Sequence, residues 1–137
     1  MLSPEYRSLL IVDDQSGVRR LLFEMLGDEG YLVDMAGNGA EAIRKVSLGV
    51  PALVLLDVKM PGMSGLETLE EIKKIAPDVP VVMMTAYGEL ELEAAAKKHG
   101  VQNYIKKPFD LEEIRFLIKG ILAGESEKKM MQAGGQA

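Results

Sequence analysis

The 137-residue chain has no cysteine, so it has neither disulfides nor thiolate metal ligands, which is compatible with a reducing compartment. It has one histidine, His99, which removes any metal site built on clustered imidazoles. No apolar run approaches the roughly 20 residues needed to span a bilayer, and Met1 to Ser8 lacks the apolar stretch of a signal peptide. Positive charge is not in excess either. The net charge is -5 and the lysines are scattered rather than gathered into a stripe, so direct nucleic-acid binding is not expected. These absences predict a cytoplasmic protein with no membrane association, and a monomer is the expectation for it. A length of 137 residues with 47% hydrophobic composition suffices for one domain with one buried core.

Four apolar runs end on a reactive polar residue: Leu9 to Val12 on Asp13-Asp14, Ala52 to Leu56 on Asp57, Val81 to Met84 on Thr85, and Tyr104-Ile105 on Lys106 and then Lys107-Pro108. Short continuous runs rich in Leu, Ile and Val suit strands buried on both faces of a parallel sheet. Helical periodicity separates them. Val18, Leu21, Leu22, Met25 and Leu26 recur at three and four over Gln15 to Asp28, which Gly30 closes as a left-handed cap. A second strand, Tyr31 to Ala36, precedes a helix capped by Asn38, with Ala42, Ile43 and Val46 inward and Gly49 at its end. Leu66, Leu69 and Ile72 place a third helix before Pro77.

A fourth strand, Pro80 to Thr85, leads to a helix from about Gly88 to Lys98 whose face of Ala94, Ala95 and Ala96, with Leu90 and Leu92, buries little area and holds weakly. Val101 to Ile105 makes a fifth strand, and Leu111, Ile114, Leu117, Ile118 and Ile121 mark an amphipathic last helix. The expected fold class is α/β: a single (βα)5 doubly wound parallel sheet of flavodoxin-like order 2-1-3-4-5. The domain is expected to span residues 1–122. Residues 123–137, with three glycines and only two large apolar residues, are expected to form a disordered tail.

In that order the first and third strands are neighbours, so Asp13, Asp14 and Asp57 gather at one rim. Carboxylates so close repel one another, and a hard divalent cation relieves the repulsion; hard oxygen donors in this number suit Mg²⁺. Asp57, at the tip of the central strand, is the candidate nucleophile toward phosphorus. Lys107 would draw off developing charge, and Thr85 would offer its hydroxyl to a phosphoryl oxygen.

The ordered set Asp13-Asp14, Asp57, Thr85 and Lys107-Pro108, with Met60-Pro61-Gly62 after Asp57 and Tyr104 before the lysine, resembles the receiver domains of bacterial two-component response regulators. The likeness covers about Leu9 to Leu122. It implies that Asp57 takes a phosphoryl group from a histidine kinase, and that Mg²⁺ is held by Asp13, Asp14 and Asp57 with the backbone carbonyl of Lys59. It also implies that Thr85, Lys107 and Tyr104 relay the change and that the Lys107-Pro108 bond is cis. Within the family the chain is most similar to single-domain phosphorelay intermediates of sporulation, through Leu10 to Gln15, Met84 to Leu90, and Lys107 to Asp110 followed by Glu113-Ile114-Arg115. It departs from them at Tyr104. That likeness adds a histidine phosphotransferase as a possible second partner.

An in-line donor must approach Asp57 over Gln15, Ser16, Val18, Arg19, Leu21, Gly88 and Pro108-Phe109, the expected partner surface. Val18 reads equally as a docking anchor or as core.

Asp13 and Asp14 are plausible as a helix cap and a solvated neighbour, although Asp57 aligned with them argues otherwise. Lys106 reads as solvated, and Met83 and Met84 as core residues on opposite faces. His99 suits a cation at a helix end better than a phosphoryl carrier. Glu70, Glu71, Lys73 and Lys74 read as a solvated charged face. An aspartate-nucleophile phosphatase would typically place a second aspartate two residues after Asp57, where Lys59 stands. A flavin carrier of the same fold would not place Asp13-Asp14 against a phosphate. The receiver half of a longer transcription regulator is the remaining alternative.

Overall fold

The structure is a computed structural model that describes residues 7–85, 90–101 and 103–134, with side chains described through residue 124 except at 90–93. Five strands alternate with five helices: β1 Ser8–Val12, α1 Ser16–Asp28, β2 Leu32–Ala36, α2 Gly39–Leu48, β3 Leu53–Asp57, α3 Gly65–Ile75, β4 Val81–Thr85, α4 Leu90–Lys98, β5 Asn103–Lys106 and α5 Leu111–Gly134. The strands form one parallel sheet in the order β2-β1-β3-β4-β5, as the pattern of buried runs predicted.

Side-chain alternation divides the core between the two faces of this sheet. Leu10, Val12, Val54, Leu56 and Met83 point toward α2, α3 and α4, where they meet Ala42, Val46, Leu69, Ile72 and Ala96. Leu9, Ile11, Leu53, Leu55, Val82 and Met84 point the other way and meet Leu22, Met25 and Leu26 of α1 and Ile114 and Ile118 of α5. Met83 and Met84 therefore lie on opposite faces, as expected. β3 and β4 are buried along their whole length, which explains their unbroken apolar sequences.

Local chemistry sets the helix ends. The Asn38 side chain accepts from the Glu41 N–H at 2.8 Å, and Gly49 terminates α2. Ser64 and Glu67 form a reciprocal capping box at α3, a signal present in the sequence as S-x-x-E. Gly30 follows α1 with φ of 98°, the left-handed conformation expected of it.

Four details differ from the sequence expectation. Leu21 is 45% exposed, because the stripe of α1 that reaches the sheet is the narrower set Leu22, Met25 and Leu26; Val18 is half-buried at its edge. On α4 only Ala96 of the three alanines is buried and Ala94 is exposed. The side chains of Leu90 and Leu92, expected on the same face, lie outside the described residues. Lys73 does not lie free on a solvated face: its ammonium donates to the Val79 carbonyl at 2.6 Å, tying α3 to the approach of β4. Finally, α5 continues to Gly134, where a disordered tail had been expected from residue 123. The end of the apolar periodicity at Leu122 is not the end of the helical backbone. Glu, Lys, Met, Gln and Ala fill this stretch, and propagation of an existing helix through good helix formers is nearly neutral.

Candidate functional site

The carboxyl ends of β1, β3, β4 and β5 converge on one rim. Parallel register pairs Val12 with Leu56, so the next residues, Asp13 and Asp57, leave adjacent strands side by side. Register also pairs Asp57 with Met84 and Thr85 with Lys106, which sets Thr85 and Lys107 next along the same rim. The main chain reinforces this: the Lys107 N–H donates to the Thr85 carbonyl at 2.7 Å, and the Asp13 N–H to the Ala36 carbonyl at 3.1 Å. The Lys107–Pro108 peptide bond is cis, as the resemblance implied.

Asp13, Asp57 and Thr85 are buried, at 0%, 5% and 1% exposure, whereas Asp14 is exposed. One carboxylate oxygen from each of Asp13, Asp14 and Asp57 lies within 4.8 Å of the others, a set that could hold a metal ion. The Lys107 ammonium bridges two of them, 2.9 Å from Asp13 Oδ2 and 3.3 Å from Asp57 Oδ1. The other Asp13 oxygen accepts from the Gln15 N–H at 2.9 Å, so Asp13 is both a turn-forming residue and a member of the acidic cluster. Lys59 follows β3 at the surface, and Lys106 is exposed.

The electrostatics are unequal. Burial first, and then the neighbouring Asp13 and to a lesser degree Asp14, push the Asp57 carboxyl up to about 6, against the opposing pull of Lys107. Burial also works against the Lys107 ammonium, but its hydrogen bond to Asp13 and the attraction of Asp57 and Asp13 outweigh burial and hold its pKa above the ordinary lysine value. Three carboxylates with one close ammonium leave uncompensated negative charge at a wall of hard oxygen donors. That donor set fits a small divalent cation. The hydroxyl of Thr85, at the end of β4, is buried and has no hydrogen-bond partner among the described residues.

Tyr104 is half-buried against the core between sheet and α4, and its hydroxyl donates to the Val101 carbonyl at 3.3 Å. His99 does more than face its own helix end: its Nε2 lies 3.2 Å from Glu70 Oε1 on α3.

Around the rim, Gln15, Ser16, Leu21 and Pro108 are exposed, and Val18, Arg19 and Phe109 are half-buried. Gly88 lies outside the described residues. Arg19 is turned inward, its Nη1 donating to the Asp13 carbonyl at 2.6 Å. Two glycines near the site escaped the sequence reading. A Cβ on Gly65 would stand 2.3 Å from the Asp57 carbonyl oxygen, so only glycine lets α3 begin against the end of β3. At Gly37 the missing side chain leaves room for the Arg19 guanidinium. Both are close approaches between one element and the end of another, which no local pattern announces.

Comparison with known proteins agrees with this geometry. Residues 9–119 match the family profile described as response regulator receiver domain. Sporulation initiation phosphotransferase F of Bacillus subtilis (strain 168) is 46% identical over 114 residues, covering 83% of this chain and 92% of that protein. Regulatory protein AtoC of Escherichia coli (strain K12) is 36% identical over 129 residues, 94% of this chain but only 28% of AtoC. Among solved structures, a CheY-like response regulator receiver domain protein from Methanospirillum hungatei JF-1 superposes with a TM-score of 0.87 at 31% identity, covering 90% of this chain and 98% of that one. The chain belongs to the response regulator receiver domain family.

Proposed function

We propose that the chain accepts a phosphoryl group from a phosphohistidine protein onto Asp57 and then switches conformation or passes the phosphoryl on in a relay. The observation that carries this is the placement of Asp57: a buried carboxylate at the central strand tip, 3.3 Å from Lys107 and grouped with two further carboxylates. Asp13, Asp14 and Asp57, with the backbone carbonyl of Lys59, are the proposed Mg²⁺ ligands. Bound there, Mg²⁺ would neutralise charge on the phosphoryl oxygens and on the acidic cluster.

An Asp57 oxygen attacks phosphorus in line as the P–N bond to the donor imidazole breaks. The bond's electron pair returns to the imidazole nitrogen, which takes up a proton. The Lys107 ammonium compensates charge on the phosphoryl oxygens, and Thr85, whose buried hydroxyl has no partner among the described residues, donates to one of them. Hydrolysis of the acyl phosphate returns the carboxylate, so the protein would turn over its own modification and no small substrate. Drawing Thr85 toward the phosphoryl would vacate space for Tyr104, a shift between nearby states that involves α4.

The donor is a histidine kinase, and the acceptor in a relay a histidine phosphotransferase. Docking is proposed over Gln15, Ser16, Val18, Arg19, Leu21, Gly88, Pro108 and Phe109, with cytoplasmic localisation and a monomeric state. Similarity to a sporulation phosphotransferase over 92% of its length favours the relay over the receiver half of a longer regulator.

Asp57→Asn keeps the shape and removes the nucleophile. Incubated with Mg²⁺ and acetyl phosphate, the variant should take no label while the native protein does; full labelling of the variant would refute the assignment.

A further inference from the structure

Arg19 was expected at the surface that meets a partner, yet its guanidinium faces the other way. Its Nη1 donates to the backbone carbonyl of Asp13 at 2.6 Å. That carbonyl belongs to the peptide joining Asp13 to Asp14, the two acidic residues that β1 delivers to the cluster. β1 ends at Val12, and the last ladder bond on its β2 side is donated by the Asp13 N–H to the Ala36 carbonyl. Past that point the sheet no longer orients the chain. The Asp13 side chain is held by Lys107 and by the Gln15 N–H, but exposed Asp14 depends on the plane of the peptide before it.

The space for this contact is built from a third segment. A Cβ placed on Gly37, just after β2, would lie 3.2 Å from Arg19 Nη1 and 3.6 Å from its Cζ. The Gly37 N–H is in turn held by the Glu41 carboxylate at 3.2 Å, which fixes this backbone under the guanidinium. α1, the end of β1 and the start of α2 thus meet at one arginine.

We infer that Arg19 is a positioning residue of the cation site, locking the Asp13–Asp14 peptide so that both carboxylates face Asp57, and that Gly37 is small to let it do so. This rests on the proposed reading of the three carboxylates as a Mg²⁺ site. The sign of the effect separates positioning from simple electrostatics. A nearby positive charge repels a cation, so deleting Arg19 for its charge alone would tighten Mg²⁺ binding. Deleting a residue that orients ligands loosens it, typically 10–100-fold for groups that hold metal ligands in place.

The test is calorimetric titration of MgCl₂ into the unphosphorylated full chain. Arg19→Ala should bind Mg²⁺ about 10-fold more weakly than the native protein. Arg19→Lys, which keeps one donor within reach of the carbonyl, should recover part of the loss. Gly37→Ala keeps the charge but crowds the guanidinium, and should weaken binding in the same direction. Arg20→Ala removes an exposed charge one residue away, paired with Glu24, and should leave affinity unchanged. Equal or tighter binding by both Arg19→Ala and Gly37→Ala, with native melting profiles in EDTA, would overturn the inference. Failure of the native chain to bind Mg²⁺ would instead overturn the cation site on which it rests.

Discussion

Replacing Asp57 with asparagine should make the protein more stable in the absence of divalent cations, and the gain should depend on pH. Burial, with Asp13 and Asp14 nearby, raises the Asp57 pKa from an ordinary 3.8 to about 6 in the folded chain. Because the folded value lies above the unfolded one, this group's contribution to stability is complete below about 3.8 and is lost as pH rises through about 6. At 1.36 kcal/mol per pKa unit, the ionised carboxylate costs the fold at most about 3 kcal/mol at pH 8. The attraction of Lys107 is already included in that value. Asparagine removes the charge without stranding the lysine, whose ammonium keeps Asp13 Oδ2 at 2.9 Å.

In EDTA at pH 8, urea unfolding should therefore show Asp57→Asn more stable by about 1 to 3 kcal/mol, with a melting temperature roughly 4 to 10 °C higher. The difference should shrink toward zero near pH 4, and should narrow when Mg²⁺ is added to the native protein. A variant no more stable than native at pH 8, or a difference independent of pH, would refute the electrostatic description of the rim.

Three further outcomes are expected. Mg²⁺ should raise the melting temperature of the native protein, with linkage giving about 2.7 kcal/mol at 100 times the dissociation constant, and Asp14→Ala should lose most of that gain; equal Mg²⁺ sensitivity of the two would exclude Asp14 as a ligand. Thr85→Ala should change stability little, since the hydroxyl has no partner among the described residues, and should leave acetyl phosphate labelling nearly intact while abolishing the change in hydrogen exchange over residues 90–98 that a stable phosphoryl mimic induces in the native chain. If native exchange there is the same with and without the bound mimic, the proposed switch fails. Gly65→Ala should destabilise by roughly 1 to 3 kcal/mol in denaturant unfolding, because the new methyl meets the Asp57 carbonyl at 2.3 Å; an unchanged midpoint would mean that the start of α3 yields freely.

The sheet was legible because its central strands β3 and β4 are buried along their whole length, so Leu53 to Leu56 and Val81 to Met84 read as unbroken apolar runs ending on their polar tips. The parallel order follows from alternation with amphipathic helices, and it alone brings Asp13 beside Asp57 and Thr85 beside Lys107. Features that depend on how segments meet were not legible. Arg19 looks like any helix-surface arginine until Gly37 is seen to have cleared room for it. Leu21 satisfies the helical period yet stays exposed, since periodicity fixes an angle on the helix but not the width of the contact with the sheet. The helical backbone of α5 runs past Leu122, where its apolar periodicity ends.

The central claim is that Asp57 is the residue that carries the phosphoryl group. Its most direct test is chemical location of that group in the native chain. The protein is labelled with acetyl phosphate and Mg²⁺, the acyl phosphate is reduced with borohydride, and the tryptic peptides are sequenced by mass spectrometry. Asp57 is the only acidic residue between the tryptic sites at Lys45 and Lys59, so modification of peptide 46–59 is unambiguous. Conversion of Asp57 to homoserine is the expected result, and a modification found on Asp13, Asp14 or any other residue, with peptide 46–59 unchanged, would contradict it.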